Sequence, residues 1–170
     1  MEYLLVDGYN VINAWKDIFD LENESLEECR EKLLTMLSNY EGYKKIKIIA
    51  VFDAHMVKEA HEKEEEFDNI IVVYTGKNET ADNYIERFVY KMGNEHTVRV
   101  ATSDYLEQRL VLKYGGIRVT PRELREEIES VHKKMTKTYS QSQKVEKNTI
   151  MSNIKPEIAD ILERIRRNNK

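Results

Sequence analysis

Four aspartates occupy positions from which an α/β protein does its chemistry. Asp7 ends the apolar run Tyr3-Leu4-Leu5-Val6, Asp53 ends the run closing with Val51-Phe52, and Asp104 follows Val98–Ala101 by way of Thr102 and Ser103. Asp82 stands two residues past Thr80, at the start of a helical stretch. Continuous apolar runs read as buried strands, and ligands of open α/β sheets bind at the carboxyl ends of the strands. Carboxylates crowded there repel one another, which raises their pKa values and opposes folding. An oxygen-ligated divalent ion relieves the conflict: Mg²⁺ or Mn²⁺ takes carboxylates and keeps several waters. Such ions support in-line displacement at phosphorus. Asn10 and Asn13 are placed to hold water or phosphate near Asp7, Glu86 lies one helical turn after Asp82, and Ser103 adds a hydroxyl beside Asp104.

Each acid also has an ordinary structural reading. Asp7-Gly8 is a common turn pair, Asp82 in a first turn suits the helix dipole, and Ser103 or Asp104 serves as a helix cap.

The elements that must position these residues follow from periodicity. Ser25 with Glu28 forms a capping box, and Leu26, Cys29, Leu33, Met36, Leu37 and Tyr40 make one helical stripe that Gly42 is expected to end. Ile46–Phe52 is a second strand, and Ile70–Tyr74 a third. Between them Ala54–Asn69 carries the run Glu62 to Glu66 and is read as a loop or frayed helix; His55 and His61 there lack a tight ligand spacing. Thr80 caps a helix with Tyr84, Ile85, Phe88, Val89 and Met92 buried, and Val98–Ala101 leads into a helix carrying Leu106, Leu110 and Tyr114. Ile117–Val119 is a short fifth strand, and Thr120, Pro121 and Glu123 open another helix. The alternation gives an α/β three-layer sandwich with a mainly parallel sheet of about five strands. Thr136–Asn148 is read as a linker, followed by a short amphipathic helix from Pro156 to Arg167. The expected organisation is therefore a domain over 1–135 and a basic linker and helix over 136–170.

Composition narrows the function. At 41% apolar and 34% charged, the chain is a globular protein without an apolar run near the length of a membrane span. Cys29 is the only cysteine, which excludes an internal disulfide and a cysteine zinc cluster. No signal peptide is expected, and the cytoplasm is the expected compartment. From His132 onward ten bases face four acids, so that segment carries +6 while the remainder carries −10 within a total of −4. Such asymmetry points to a basic arm that meets a polyanion, or else to a solvated tail. Lys133, Lys134, Lys137, Lys144, Lys147, Arg164, Arg166 and Arg167 are the candidate residues for binding that polyanion.

Other phosphate chemistries lack their parts. There is no G-x-x-x-x-G-K-[ST] loop and no G-x-G-x-x-G after the first strand, so no nucleotide cofactor is expected. A phosphatase with Asp7 as nucleophile would want an acid two residues on, where Tyr9 stands.

Val6-Asp7-Gly8-Tyr9-Asn10, Val51-Phe52-Asp53, Thr80-Ala81-Asp82-Asn83-Tyr84-Ile85-Glu86 and Thr102-Ser103-Asp104, in that order, resemble the NYN-domain ribonucleases of the PIN-like superfamily. Within them the likeness is to the small bacterial branch that includes a ribosome-associated messenger-RNA endonuclease. It covers roughly Met1 to Glu129. The resemblance implies a PIN-like fold and a metal-dependent endoribonuclease of messenger RNA, with Asp7, Asp82 and Asp104 as the metal-binding acids, Asn10 in the same pocket and Asp53 at its rim. Ala54 departs from the pattern, which has glycine after the second acid. The alternative is a catalytically weak RNA- or ribosome-binding module that keeps the fold and the acids.

Overall fold

Leu4, Leu5 and Val6 are wholly buried in succession, as an apolar run without alternation must be when both faces of its strand are covered. The computed structural model describes residues 1–53 and 63–152. Along the chain run β1 (Glu2–Asp7), α1 (Gly8–Ala14), α2 (Leu26–Lys44), β2 (Lys47–Phe52), β3 (Lys63–Phe67), β4 (Ile70–Tyr74), α3 (Ala81–Met92), β5 (Thr97–Ala101), α4 (Tyr105–Lys113), β6 (Ile117–Val119) and α5 (Pro121–Ser152). The sheet order is β3-β4-β2-β1-β5-β6, parallel throughout except for the β3–β4 pair.

β1 is the switch point of this sheet, since the chain leaves it to β2 on one side and later returns to β5 on the other. The register aligns the ends: Asp7 pairs with Val51, Val6 with Ala101, and Phe52 with Tyr74. Asp7, Asp53 and the Thr102–Asp104 turn therefore leave one edge together. On one face Leu5, Ile49, Val51, Val73, Val98 and Val100 pack with Ala81, Ile85 and Val89 of α3 and Val111 of α4. The alternate residues, including Leu4, Ile48, Ala50 and Val72, point to the opposite face. There the Tyr40 hydroxyl of α2 donates to Glu127 of α5, and the Trp15 indole donates to the Pro121 carbonyl at 2.9 Å.

The expected caps form. Ser25 accepts from the Glu28 amide while Glu28 accepts from the Ser25 amide at 2.7 Å, and Thr120 with Glu123 repeats the arrangement ahead of α5. α2 runs past Gly42 and ends where Lys45 adopts a left-handed conformation at φ 58°.

Three expectations are corrected. The sheet has six strands, because Lys63–Phe67 lies antiparallel at the edge of β4. Its acidic run reads as solvated loop, yet an edge strand keeps one face in water and tolerates charge. The two-residue turn Asp68-Asn69, with Asp68 at φ 51°, was the available hairpin signal. Next, Thr136–Asn148 is helix rather than linker, since α5 continues to Ser152. Between Arg122 and Ser152 there is neither glycine nor proline, and Lys, Gln and Glu sustain a helix after its apolar stripe has lapsed at Met135. Finally, α4 is turned otherwise than Leu106, Leu110 and Tyr114 imply: Leu106 is 68% exposed, while Glu107 and Val111 face inward.

Contacts divide the chain into a unit Met1–Val131 and a unit His132–Lys170. Ala54, His55, His61, the helix expected from Pro156, and Arg164, Arg166 and Arg167 lie outside the described residues. Among the described residues no helix is long and apolar enough to cross a membrane.

Candidate active site

Asp7 is the last residue of β1 and the N-cap of α1, its carboxylate accepting from the Asn10 amide at 3.3 Å. The turn is tight for a packing reason. A Cβ on Gly8 would run into the Phe52 ring, so glycine is needed for close approach rather than for a left-handed φ. Asp82 enters from the first turn of α3, held there by the Thr80 cap, which accepts from the Asn83 amide at 3.2 Å. Glu107 enters from the first turn of α4. Carboxylate oxygens of Asp7, Asp82 and Glu107 lie within 4.8 Å of one another.

Burial dominates the electrostatics of this trio. Asp7, 8% exposed, is pushed up to about 6, first by desolvation and then by the charges of Asp82, Asp53 and Asp104, against the opposing Asn10 amide. Glu107, 4% exposed, is pushed up to about 8 by desolvation, with the charges of Asp7, Asp82 and Asp104 added. Asp82 is also raised, by burial and then by Asp104. Thr102 lies close enough to temper the rise at Glu107, but neither buried Glu107 oxygen has a hydrogen bond of good geometry. None of the ion pairs among the described residues reaches the trio.

The remaining candidates have distinct surroundings. One Asp104 oxygen accepts from the Leu106 amide at 2.8 Å and the Glu107 amide at 3.2 Å, so that carboxylate caps α4 and orients the helix that carries Glu107. Its charge nonetheless acts on all three acids. The Asn10 side-chain oxygen accepts from both the amide and the hydroxyl of Ser103, the amide at 2.6 Å. That tie joins the turn after β1 to the turn after β5 and gives Asn10 a positioning role. Gln108 donates to the Thr102 carbonyl at 2.7 Å and braces the same turn. Asp53 is half-buried beside the pocket, and its charge acts on Asp7 and Asp82. Glu86 is half-buried outside the trio, and Asn13 is exposed. Lys133, Lys134 and Lys137 are exposed on α5, whose range also includes Lys144 and Lys147.

Glu107 is the residue that sequence reasoning missed. Its spacing from Asp104 matches a capping-box acid, which gives a local explanation and conceals the inward orientation. The available signal was the alternative stripe Glu107 and Val111, four apart.

Three close carboxylates, one of them buried with no cation beside it, fit a hard divalent ion. Oxygen donors in this number suit a hard divalent cation rather than a thiophilic or imidazole-preferring metal.

The chain is similar to known proteins in sequence and in fold. The family model of the YacP-like NYN domain matches residues 4–167. YacP of Bacillus subtilis (strain 168) is 41% identical over 136 residues, 79% of each chain. The crystal structure of Rae1 (YacP) from Bacillus subtilis superposes with a TM-score of 0.72 at 35% identity, covering 99% of this chain and 97% of that one. The crystal structure of a point mutant of that protein gives 0.69 at 34% identity over 91% and 85%. With the family model spanning nearly the whole chain and these relatives matched along most of their length, the chain belongs to the YacP-like NYN domain family.

Proposed function

We propose that the chain is a divalent-metal-dependent endoribonuclease that cleaves messenger RNA in association with the ribosome. Family membership supports the coarse part of this reading, a nuclease-type hydrolase associated with RNA. The observation that carries the finer part is the convergence of Asp7, Asp82 and Glu107, with Glu107 buried and no cation beside it, its polar neighbours being Thr102 and a second acid, Asp82. These three carboxylates are the proposed ligands of Mg²⁺ or Mn²⁺, which when bound activates water and neutralises charge on a phosphodiester. Asp104 completes the acidic field and holds α4, while Asn10 and Ser103 lock the two turns that present Asp7 and Glu107. Asp53 stands at the rim. With residues 1–135 as the nuclease domain, the basic segment 136–170 and the exposed lysines before it supply the affinity for nucleic acid that the acidic body denies. Docking on a large RNA assembly while a strand is presented to the pocket matches that division, and it motivates the ribosome as partner and the cytoplasm as compartment.

The experiment compares cleavage of ribosome-bound and free messenger RNA by wild type, Asp7→Asn and a truncation after Val131, with Mg²⁺ or Mn²⁺. Wild type is expected to cleave the ribosome-bound message. Asp7→Asn should lose at least about 100-fold, since even residues that only support metal ligands cost about 10–100-fold. Full activity of a folded Asp7→Asn refutes the metal site. Rapid cleavage of free RNA by the truncation refutes the ribosome requirement, and wild type that binds ribosomes without cleaving leaves a binding module.

A further inference from the structure

An RNA strand that reaches the acidic pocket brings further phosphates with it, and the acids around the pocket repel them. Several cations of the first unit are neutralised already. Lys32 pairs with Glu24, Arg87 with Glu79, Arg99 with Glu127, and Arg125 with Asp17. Arg30 is different. It is half-buried, and no carboxylate among the described residues pairs with it.

Arg30 rises from the second turn of α2 and donates through Nη1 to the Tyr9 hydroxyl at 2.9 Å. Its guanidinium carbon lies 5.9 Å from the centre of the Tyr74 ring. Both tyrosines belong to the edge that carries the acids. Tyr9 is two residues past Asp7, and Tyr74 ends β4 opposite Phe52, the neighbour of Asp53. Phe52 ties them together, packing edge-on to Tyr9 at 5.1 Å and stacked with Tyr74 at 5.8 Å. The charge of Asp53 acts on Tyr9 as well as on Asp7 and Asp82, so Asp53 links the surroundings of the guanidinium to the metal-fitting trio.

A guanidinium has five N–H donors in a planar fork; Tyr9 occupies one and the Tyr74 hydroxyl lies near enough to engage another, which leaves the rest for a ligand. The aromatic frame fixes the plane, and a cation over a ring is only partly compensated for the water it has lost. What completes such a site is an anion with two or more acceptor oxygens, and phosphate matches the fork in geometry as well as charge.

We propose that Arg30, held by Tyr9 and Tyr74, binds the RNA phosphate adjacent to the scissile one and so positions the strand across the acidic pocket. This rests on the endoribonuclease reading above and adds a substrate-contacting residue to it.

The test uses the full chain. Binding of a single-stranded RNA oligonucleotide is measured by fluorescence anisotropy across a salt series, in the uncleaving Asp7→Asn background with Mg²⁺ present. Arg30→Gln, which keeps a donor for Tyr9 but removes the charge, is expected to weaken binding about tenfold. It should also lower the slope of log K against log salt by about 0.7, the value of one phosphate contact on a single strand. Arg30→Lys should recover the slope and only part of the affinity. In the otherwise wild-type chain, Arg30→Gln should raise KM with kcat little changed. Unchanged affinity and slope in a folded Arg30→Gln overturn the proposal, as does a fall in kcat at constant KM. Should Arg30→Gln melt at room temperature, Tyr9→Phe takes its place: it frees the guanidinium from its anchor and is expected to weaken binding about threefold, with no change again overturning the proposal. Wild type that cleaves RNA while Arg30→Gln matches it sinks this inference alone. Wild type that neither binds the oligonucleotide nor cleaves ribosome-bound messenger RNA sinks the endoribonuclease reading and this inference together.

Discussion

Around Arg99 and at the carboxyl end of β1 the same sheet withdraws charge from water in two ways. Arg99 pairs with Glu127 and, at 3.6 Å, with Glu2, while Tyr40 donates to the second Glu127 oxygen. Burial alone would raise the Glu127 carboxyl, but the bonds from Arg99 and Tyr40 outweigh it and hold the group below its ordinary range. The same burial and the Glu127 contact push the Tyr40 hydroxyl up to about 12, so it stays a donor. Asp7, Asp82 and Glu107 have no such cation among the described residues, and Asp7 and Glu107 rise to about 6 and about 8. The first cluster is complete within the chain. The second has no cation of its own among the described residues: its acids keep protons to higher pH or, on the function proposed above, take a divalent ion. A buried pair is costly to break, whereas a buried unpaired carboxylate is costly to keep charged. The contrast separates a structural ion cluster from the site proposed above to take a cation.

Opposite pH windows follow from the signs. For Glu107 the folded pKa lies above the unfolded one, so between 4.5 and about 8 the folded chain holds a proton that the unfolded chain has released. Stability is therefore lost as pH rises through that window. For Glu127 the folded pKa is depressed, so its contribution is present above 4.5 and lost as pH falls through the lower folded value.

The largest effect is expected from Glu107→Gln. Cleavage should fall by at least about 100-fold, while metal-free stability at pH 8 should rise, and the decline of melting temperature between pH 5 and pH 8 should flatten. Mg²⁺ should raise the melting temperature of wild type by mass action and do so less in the variant. Calorimetry across that pH range with and without Mg²⁺, alongside initial rates of cleavage, reads all of this. An unflattened decline, or equal gain from Mg²⁺ in both proteins, would place the ligand requirement elsewhere.

Breaking the balanced cluster is expected to reverse the pattern. Glu127→Gln leaves Arg99 without its main partner and should cost about 2 kcal/mol, below the usual range for a buried pair because Glu127 keeps some contact with water. Cleavage per folded molecule should stay at the wild-type level, as denaturant titration and initial rates would check. A loss of kcat without loss of stability would mean that the two clusters are not separate.

The smallest effect sharpens the role of Asp104. Asp104→Asn keeps a side-chain oxygen that accepts from the Leu106 and Glu107 amides, so the cap should survive within a few tenths of a kcal/mol, whereas Asp104→Ala should cost about 1 kcal/mol. If the Asn variant cleaves RNA nearly as well as wild type, Asp104 acts as the cap of α4. If cleavage collapses with the fold intact, its second oxygen belongs with the ligands.

Much of this molecule is legible from local pattern. The apolar runs ending at Asp7 and Asp53, the Ser25–Glu28 and Thr120–Glu123 caps, and the stripe of Ile85 and Val89 depend on neighbours within four residues, where spacing alone specifies contact. That locality is why the four expected aspartates, Asp7, Asp53, Asp82 and Asp104, lie close enough for their charges to act on one another. Where the chain's own tertiary packing was needed, the cause is long-range. The rotation of α4 that buries Glu107 and exposes Leu106 depends on Val111 joining the core with Val98 and Val100 and on the Asn10–Ser103 tie, whose partners are 93 residues apart. The acidic β3 becomes a strand because β4 offers it an open edge. The Tyr9–Phe52–Tyr74 frame around Arg30 draws on three separate elements. Propensity and periodicity act over a turn or two of chain, and none of these arrangements has a short-range counterpart from which spacing could have revealed it.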